Sequence, residues 1–528
     1  MPLSQDPGGL PPDRVSDLRS LVSRAAARWP ERPALTFPKT AQPALSFQDV
    51  ARETAAWSGR LRRLGVRRGD HVAVMLRNRP EFPLSWLGLT TIGAVMVPVN
   101  VFYTEREVGY LLEHSGAEVA VTSSEFVPLL RGLRAHSNVK EIVDVDEEMA
   151  GESGDVSKGD AVYPETLANL QYTSGTTGHP KACMLSHGYW LRIAQKVVNV
   201  FPRLEEREVV LTAQPFYYMD PQWNLASTLL AGAHLVVLDR FHPSTFWADV
   251  RRYGVSYFYC LGMMPTALLK IPPSTEDRAH RVRAVTCSAI PPDLHRELES
   301  RWGAPWHEVF GMTETGGDLM VTEEDHDRLV GTGCIGRPYA DRDVRVVDEE
   351  DRPVPRGTAG EMVLRGRGLM DGYYRNPEAT AEALRNGWFH TGDLVRMDEE
   401  GLVYYLGRKK EIIRRSGENI SAREVEEAIR SHPDVRLAAC LGVPDELRGE
   451  EIKAYVVLQD GRTSEEVPPH DLAAFCSERL AYFKVPRYWT YRDDLPLTPS
   501  ERVAKSVLRA ADADPLAGSF DLVEQRWR

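Results

Sequence analysis

Cysteine is sparse and scattered. The six, Cys183, Cys260, Cys287, Cys334, Cys440 and Cys476, lie far apart, with no CxxC pair and no metal-ligand spacing. That argues against a disulfide framework and a zinc site, and reads as small buried apolar residues in a reducing compartment. Basic charge is not in excess either: 64 Lys and Arg against 76 Asp and Glu leave a formal net charge of −12. No footprint for nucleic acid or for an anionic membrane surface follows from that balance. No apolar run approaches the roughly 20 residues needed to cross a bilayer. The first residues, MPLSQDPGGLPPD, lack a basic stretch followed by an apolar one, so they do not read as a signal peptide, and a cytoplasmic enzyme is expected.

At 528 residues the chain is too long for one core and should divide into at least two domains. Strand signals at His71 to Leu76, Gly93 to Asn100 and Ala117 to Ser123 alternate with helical segments, and a second set follows at Val209, His234, Tyr257 and Arg283. Such alternation predicts parallel α/β layers. From Gly336 to Leu406 the elements become short and are separated by Gly/Pro turns, as in a small barrel or antiparallel sheet. A charged run at Gly407 to Lys410 then precedes a helix over Ser421 to Ser431, with Ser421 as N-cap and Glu424 completing a capping box. The expected division is 1–407 and 408–528, the second part a small α+β domain.

The chemistry concentrates in YTSGTTGHPK, Tyr172 to Lys181. Gly175 and Gly178 let main-chain N–H groups approach an anion, Thr173, Ser174, Thr176 and Thr177 add hydroxyl donors, and Lys181 adds a fixed charge. That composition suits a polyphosphate. It is not the common P-loop, because His179 and Pro180 separate Gly178 from Lys181. Taken alone, such a loop is more often a solvated turn. It is not alone: FGMTET (Phe310 to Thr315), YYRNPEAT (Tyr373 to Thr380), GWFHTGDL (Gly387 to Leu394) and GRKKEIIRRSGENISAREVE (Gly407 to Glu426) follow in order.

Together these motifs resemble the adenylate-forming superfamily of acyl-CoA synthetases, peptide-synthetase adenylation domains and beetle luciferases, over about Asp49 to Arg509. The resemblance implies a large N-terminal domain of layered α/β sheets with a small β-barrel, followed by a small, mobile α+β lid. It implies an ATP-dependent acid–CoA ligase using Mg²⁺ and coenzyme A: a carboxylate attacks the α-phosphate, pyrophosphate leaves, and a thiol takes the acyl group. By resemblance the Tyr172–Lys181 loop holds the departing phosphates, Glu314 the metal, and Thr313 the α-phosphate. Ser288 and Ala289, with the backbone of Phe310, Gly311 and Met312, enclose adenine. Asp393 and Arg408 take the ribose. Ser416, Gly417, Glu418 and Asn419 line the thiol path, and Lys410 is the hinge.

One departure concerns the last motif, where the family's Gly-Lys is replaced. LPLTPSERVAKSVLR (Leu495 to Arg509) puts Glu501 and Arg502 there, with Lys505 three residues on. If the segment is helical, Arg502 and Lys505 share a face, and either can supply the adenylation cation; Lys505 is the preferred candidate. The acyl pocket departs as well. QPFYYMDPQW (Gln214 to Trp223) puts Tyr218 where many members have histidine and adds Asp220 and Trp223. With Tyr217, Met263, Met264 and Gly317 it reads as a mixed aromatic and methionine pocket. The pattern resembles crotonobetaine/carnitine-CoA ligases, where a carboxylate meets a quaternary ammonium, and it also suits a bulky hydrophobic or hydroxylated acid. Free CoA is the expected acceptor, with loading of a carrier protein and a catalytically impaired binding homologue as alternatives; a homodimer is left open.

Overall fold

The computed structural model describes residues 15–40, 44–147, 161–173, 180–261, 264–415, 418–445, 448–480, 482–498, 503–511 and 514–528. Two compact units divide the chain: residues 1–343 with 365–385, and residues 344–364 with 386–528.

The first unit is built on parallel strands. His71–Met75 lies between Val95–Pro98 and Val119–Thr122, parallel to both. Beyond Val95–Pro98 comes Leu167–Thr173, which turns back antiparallel onto Lys181–Ser186. A second layer runs His234–Val237, Val209–Thr212, Tyr257–Leu261, Ala284–Ser288 and Trp306–Met312, each parallel to the next. Most residues of these runs are apolar and buried, the pattern of parallel strands inside an α/β protein. Leu211, Val236, Phe246, Val250, Phe258, Trp302 and Trp306 form one of its apolar cores. Helices such as Phe47–Arg63 close the layers; its Ser46 cap is reciprocated by Asp49, and its buried residues fall on one face.

This topology positions the site. Ligands of open α/β sheets sit beyond the carboxyl ends of the strands. Asn78 follows His71–Met75, Asn100 follows Val95–Pro98, Gln214 to Tyr218 follow Val209–Thr212, and Ala289 follows Ala284–Ser288. These residues therefore issue from the carboxyl ends of the strands.

The second unit holds the antiparallel run Ala359–Gly366, Phe389–Met397 and Val403–Arg408. Its own core gathers Ile413, Ile420, Val425, Ile429 and Trp489 under helix Ala422–Arg430. The Ser421 cap forms, its Oγ accepting from the Glu424 N–H at 3.3 Å. The expected capping box does not, because the Glu424 carboxylate is held by Lys484 Nζ at 2.6 and 2.8 Å. An ammonium is a stronger partner for a carboxylate than a single amide. All six cysteines are buried thiols. Among the described residues no helix is long and apolar enough to cross a membrane.

Candidate functional site

The segment expected to hold phosphate lies between two paired strands. Thr173 and Lys181 stand directly opposite one another in the register of Leu167–Thr173 and Lys181–Ser186. Ser174, Gly175, Thr176, Thr177 and Gly178 lie outside the described residues. Both shoulders are gripped by helix Glu105–Ser115: the Tyr110 hydroxyl donates to the Pro180 carbonyl at 3.3 Å, and His114 Nδ1 lies 2.8 Å from the Tyr172 hydroxyl. Burial holds the His114 imidazole below its ordinary range, with the Arg375 charge adding to the effect. The ring therefore stays neutral near pH 7.

Tyr373 connects this hairpin to the FGMTET turn. Its hydroxyl donates to Glu314 Oε1 at 3.0 Å, and Lys181 Nζ lies 4.9 Å from its ring centroid. Main-chain bonds lace the same segment in place, from Met370 N–H to the Glu314 carbonyl and from Tyr374 N–H to the Ala182 carbonyl, both at 2.8 Å. Tyr373 stood in a quoted motif without a role; the signal missed was an aromatic residue able to serve a cation and a carboxylate at once. Glu314 is 8 % exposed, and its turn is fixed from behind. The Tyr189 hydroxyl donates to the Thr313 carbonyl at 2.9 Å, Thr315 bonds Asp318, and Arg342 bonds both the Thr315 carbonyl and Asp318 at 2.6 Å.

On the strands that carry this turn, Phe310 pairs with Leu319 and Gly311 with Gly317, and the register shifts between the two pairs at Asp318. A Cβ at Gly311 would collide with the Gly316 carbonyl oxygen, so only glycine lets the strands close there. Met312 pairs with Gly316. Gly317 presents its carbonyl to the buried Lys196 ammonium at 2.7 Å. Ala289 has a φ of 67°, a conformation few side chains adopt without support. The support is Glu308, whose two carboxylate oxygens accept from the Ala289 and Ile290 N–H groups at 2.6 and 2.7 Å. Ser288 Oγ donates to the Val309 carbonyl and accepts from the Tyr259 hydroxyl, both at 2.9 Å. Glu308 was not expected from sequence; it precedes FGMTET by two residues and has no motif of its own.

In the segment expected to line the acid pocket, Tyr218 occupies the N-cap position of helix Met219–Ala231 without a side-chain cap bond, and Asp220 lies in its first turn. The Tyr217 and Tyr218 rings meet at 4.9 Å, and Trp223 meets Tyr259 at 5.4 Å. The Asn100 amide reaches the Tyr218 hydroxyl at 3.2 Å. Asn78 donates to the Gln214 and Leu238 carbonyls and accepts from Phe216 N–H. Met264 is buried and receives the Gln214 amide at its sulfur, 3.5 Å away. Met263 lies outside the described residues. Asn78 and Asn100 went unrecognised because nothing local distinguishes them from ordinary residues after a strand.

In the second unit, Asp393 and Arg408 are register partners on adjacent strands. Arg408 Nε lies 2.9 Å from Asp393 Oδ1, which also accepts from the Tyr405 hydroxyl at 3.0 Å. Burial, then the Asp393 charge, keeps the Tyr405 phenol neutral. Asp393 is fully buried, so its carboxylate is oriented before any ligand arrives. Lys505 Nζ lies 2.7 Å from Glu426 and 2.9 Å from Glu411. Burial alone would lower its pKa, but those two carboxylates outweigh it and raise it. Helix Lys505–Ala511 starts at Lys505 itself, after Val503 has bridged to Leu497. Arg502, Ser416 and Gly417 lie outside the described residues, as do the side chains of Lys410, Glu418 and Asn419. The hairpin of Ile412–Arg415 with Glu418–Ser421 brackets the thiol-path segment.

The AMP-binding enzyme signature matches residues 22–374, and that of the AMP-binding enzyme C-terminal domain matches residues 424–502. The chain belongs to the AMP-binding enzyme family. It is 32% identical over 515 residues to a crotonobetaine/carnitine–CoA ligase of Salmonella arizonae, covering 93% of this chain and 98% of the relative. The o-succinylbenzoate CoA synthetase of Bacillus subtilis, in complex with its acyl-adenylate intermediate, superposes with a TM-score of 0.83 at 27% identity, over 94% of this chain and 98% of that one. The same synthetase with ATP and magnesium ion gives 0.82 at 27% identity, over 93% and 99%. Membership makes this chain an AMP-forming acid–thiol ligase, which activates a carboxylic acid as an acyl-adenylate and transfers it to CoA. The residues fit a magnesium ion that is completed by its substrate: Glu314 offers one oriented carboxylate, and no group of three or more acidic, His or Cys ligands occurs among the described residues. Mg²⁺ commonly takes one or two carboxylates together with phosphate oxygens, and bound there it neutralises charge on the phosphates.

Proposed function

We propose that the acid activated by this ligase carries a quaternary ammonium, held by Asp220 among the rings of Tyr217, Tyr218 and Trp223. The observation that carries the reading is the place of Asp220, in the first helical turn and three residues before Trp223, hence on the same face. A trimethylammonium has no N–H to satisfy, so ring faces and one carboxylate meet its needs. The S. arizonae relative, named for crotonobetaine and carnitine, supports it. Exchange of labelled pyrophosphate into ATP tests it, comparing 4-(trimethylammonio)butanoate and carnitine with the neutral isostere 5,5-dimethylhexanoate. Asp220→Asn should cut the preference for the cationic acids by roughly tenfold or more, as loss of a partly desolvated ion pair implies. If no cationic acid supports exchange, or if the ratio survives Asp220→Asn, the reading fails.

The remaining roles follow the same reaction. Thr173, Lys181 and the loop between them hold the departing pyrophosphate, Glu314 the metal, and Thr313 the α-phosphate. Ser288, Ala289 and Phe310 to Met312 enclose adenine, and Asp393 with Arg408 binds the ribose hydroxyls. The functional division falls at Arg408, with Lys410 as hinge and Ser416 to Asn419 along the thiol path to free CoA. Lys505, tied to Glu411 and Glu426, serves as the anchor of its segment. Arg502 then supplies the adenylation cation.

A further inference from the structure

We infer that Gln222 is a positioning residue that sets acid specificity, by receiving the main chain of the pocket wall on a buried relay of amides. The inference rests on the acid pocket lying at residues 216–223. Three successive carbonyls there, of Phe216, Tyr217 and Tyr218, accept bonds from side-chain amides. Gln222 Nε2 lies 2.9 Å from the Phe216 oxygen and 3.0 Å from that of Tyr218, and Gln171 Nε2 lies 2.8 Å from that of Tyr217. Gln222 Nε2 also approaches Gln171 Oε1 at 3.3 Å.

The relay has one direction. Indole nitrogens only donate, and Trp86 Nε1 and Trp190 Nε1 both donate to Asn169 Oδ1, at 2.9 and 3.0 Å. The Asn169 oxygen must therefore face the indoles, which turns its Nδ2 to Gln222 Oε1 at 2.8 Å. That contact in turn aims the Gln222 nitrogen at the carbonyls. Asn169 and Gln222 are fully buried, Gln171 is 3 % exposed, and both indoles are fully buried, so no water replaces a missing link. The wall that carries Tyr217 and Tyr218 is thus oriented from the strand Leu167–Thr173 and from two tryptophans that never meet the acid. An apolar residue at 222 would leave the buried Phe216 carbonyl without its donor and the Tyr218 carbonyl with only the first N–H of its helix, and the wall would turn to compensate.

The test compares Gln222→Met, Gln222→Glu and Gln171→Met. Glutamate keeps the volume and an acceptor for Asn169, but ionised it cannot donate and protonated it offers one O–H in place of two N–H donors, so its effect should run in the same direction as methionine's. Pyrophosphate exchange is measured with carnitine, 4-(trimethylammonio)butanoate, 5,5-dimethylhexanoate, octanoate and benzoate, with thermal melts confirming folding. We expect both Gln222 variants to raise the KM for the acid that the unmodified enzyme prefers by roughly tenfold. They should also change the order of preference, and leave the KM for ATP within about twofold. Gln171→Met, which releases only the Tyr217 carbonyl, should shift preference less and in the same direction. A folded Gln222→Met with unchanged acid KM and profile would overturn the inference. So would acid and ATP KM values that rise together with the profile unchanged, since that marks a merely structural amide. Should Gln222→Met fail to fold, Gln171→Met decides by the same criteria. Each comparison is made against the enzyme's own preferred acid, so a preference for octanoate would refute the quaternary-ammonium reading and leave this test intact.

Discussion

At the scale of single residues, the site works through side chains that serve more than one partner. Tyr373 gives its hydroxyl to Glu314 and its ring face to Lys181, so one residue relates the carboxylate to the ammonium. Tyr373→Phe removes the first contact and keeps the second. A hydrogen bond to a charged group contributes about 1.5–3 kcal/mol, so the Mg²⁺ concentration giving half-maximal pyrophosphate exchange should rise roughly tenfold. Tyr373→Leu, which also removes the ring, should raise the KM for ATP besides. Equal effects of the two substitutions on both parameters would assign Tyr373 to packing alone. Glu308 shows the same economy: two oxygens hold two successive N–H groups of a turn whose Ala289 has a left-handed backbone.

At the scale of elements, the segments flanking the proposed reactive residues are tied down by neighbours. Helix Glu105–Ser115 grips both shoulders of the phosphate hairpin, and helix Lys505–Ala511 begins on a lysine fixed between Glu411 and Glu426. Removing one member of a buried charge group leaves the others uncompensated, at a cost of about 3–5 kcal/mol. Lys505→Met should therefore speed hydrogen exchange in Ala422–Arg430 and Val435–Asp445, which carry Glu426 and its partner, the Cys440 N–H. Arg502→Met should leave exchange protection alone and slow adenylation roughly a hundredfold, the scale of losing one group that stabilises developing charge. Thioester formation from supplied acyl-adenylate should then stay near normal. Normal adenylation in Arg502→Met would return the catalytic role to Lys505.

At the scale of the whole molecule, stability should fall in mild acid. Burial pushes His187 and His307 down to about 4 from 6.5, and they are 0 % and 2 % exposed. Between those values the unfolded chain takes protons that the folded chain refuses, so stability rises with pH across that window and is lost as pH drops through it. Each histidine contributes on the order of 3 kcal/mol over the full window. Urea midpoints measured from pH 7 to pH 4.5 should decline, and His187→Gln, which keeps an acceptor for the Leu18 N–H, should flatten part of the slope. A midpoint independent of pH over that range would contradict the burial of neutral imidazoles.

The sequence by itself determined the family, the reaction and the alternation of strands with helices, because phosphate and ribose chemistry demands particular residues at short spacing and buried parallel strands need continuous apolar runs. Thr173, Lys181, Glu314 and Asp393 could be singled out for that reason, each inside a motif. Only the tertiary structure decided which partners hold them. Tyr373 meets Glu314 across 59 positions and Gln222 meets Asn169 across 53, separations at which no local pattern signals a contact. It also decided that Lys505 is enclosed by carboxylates, since a cation's role depends on what surrounds it, and the fold alone brings Glu411 and Glu426 to it.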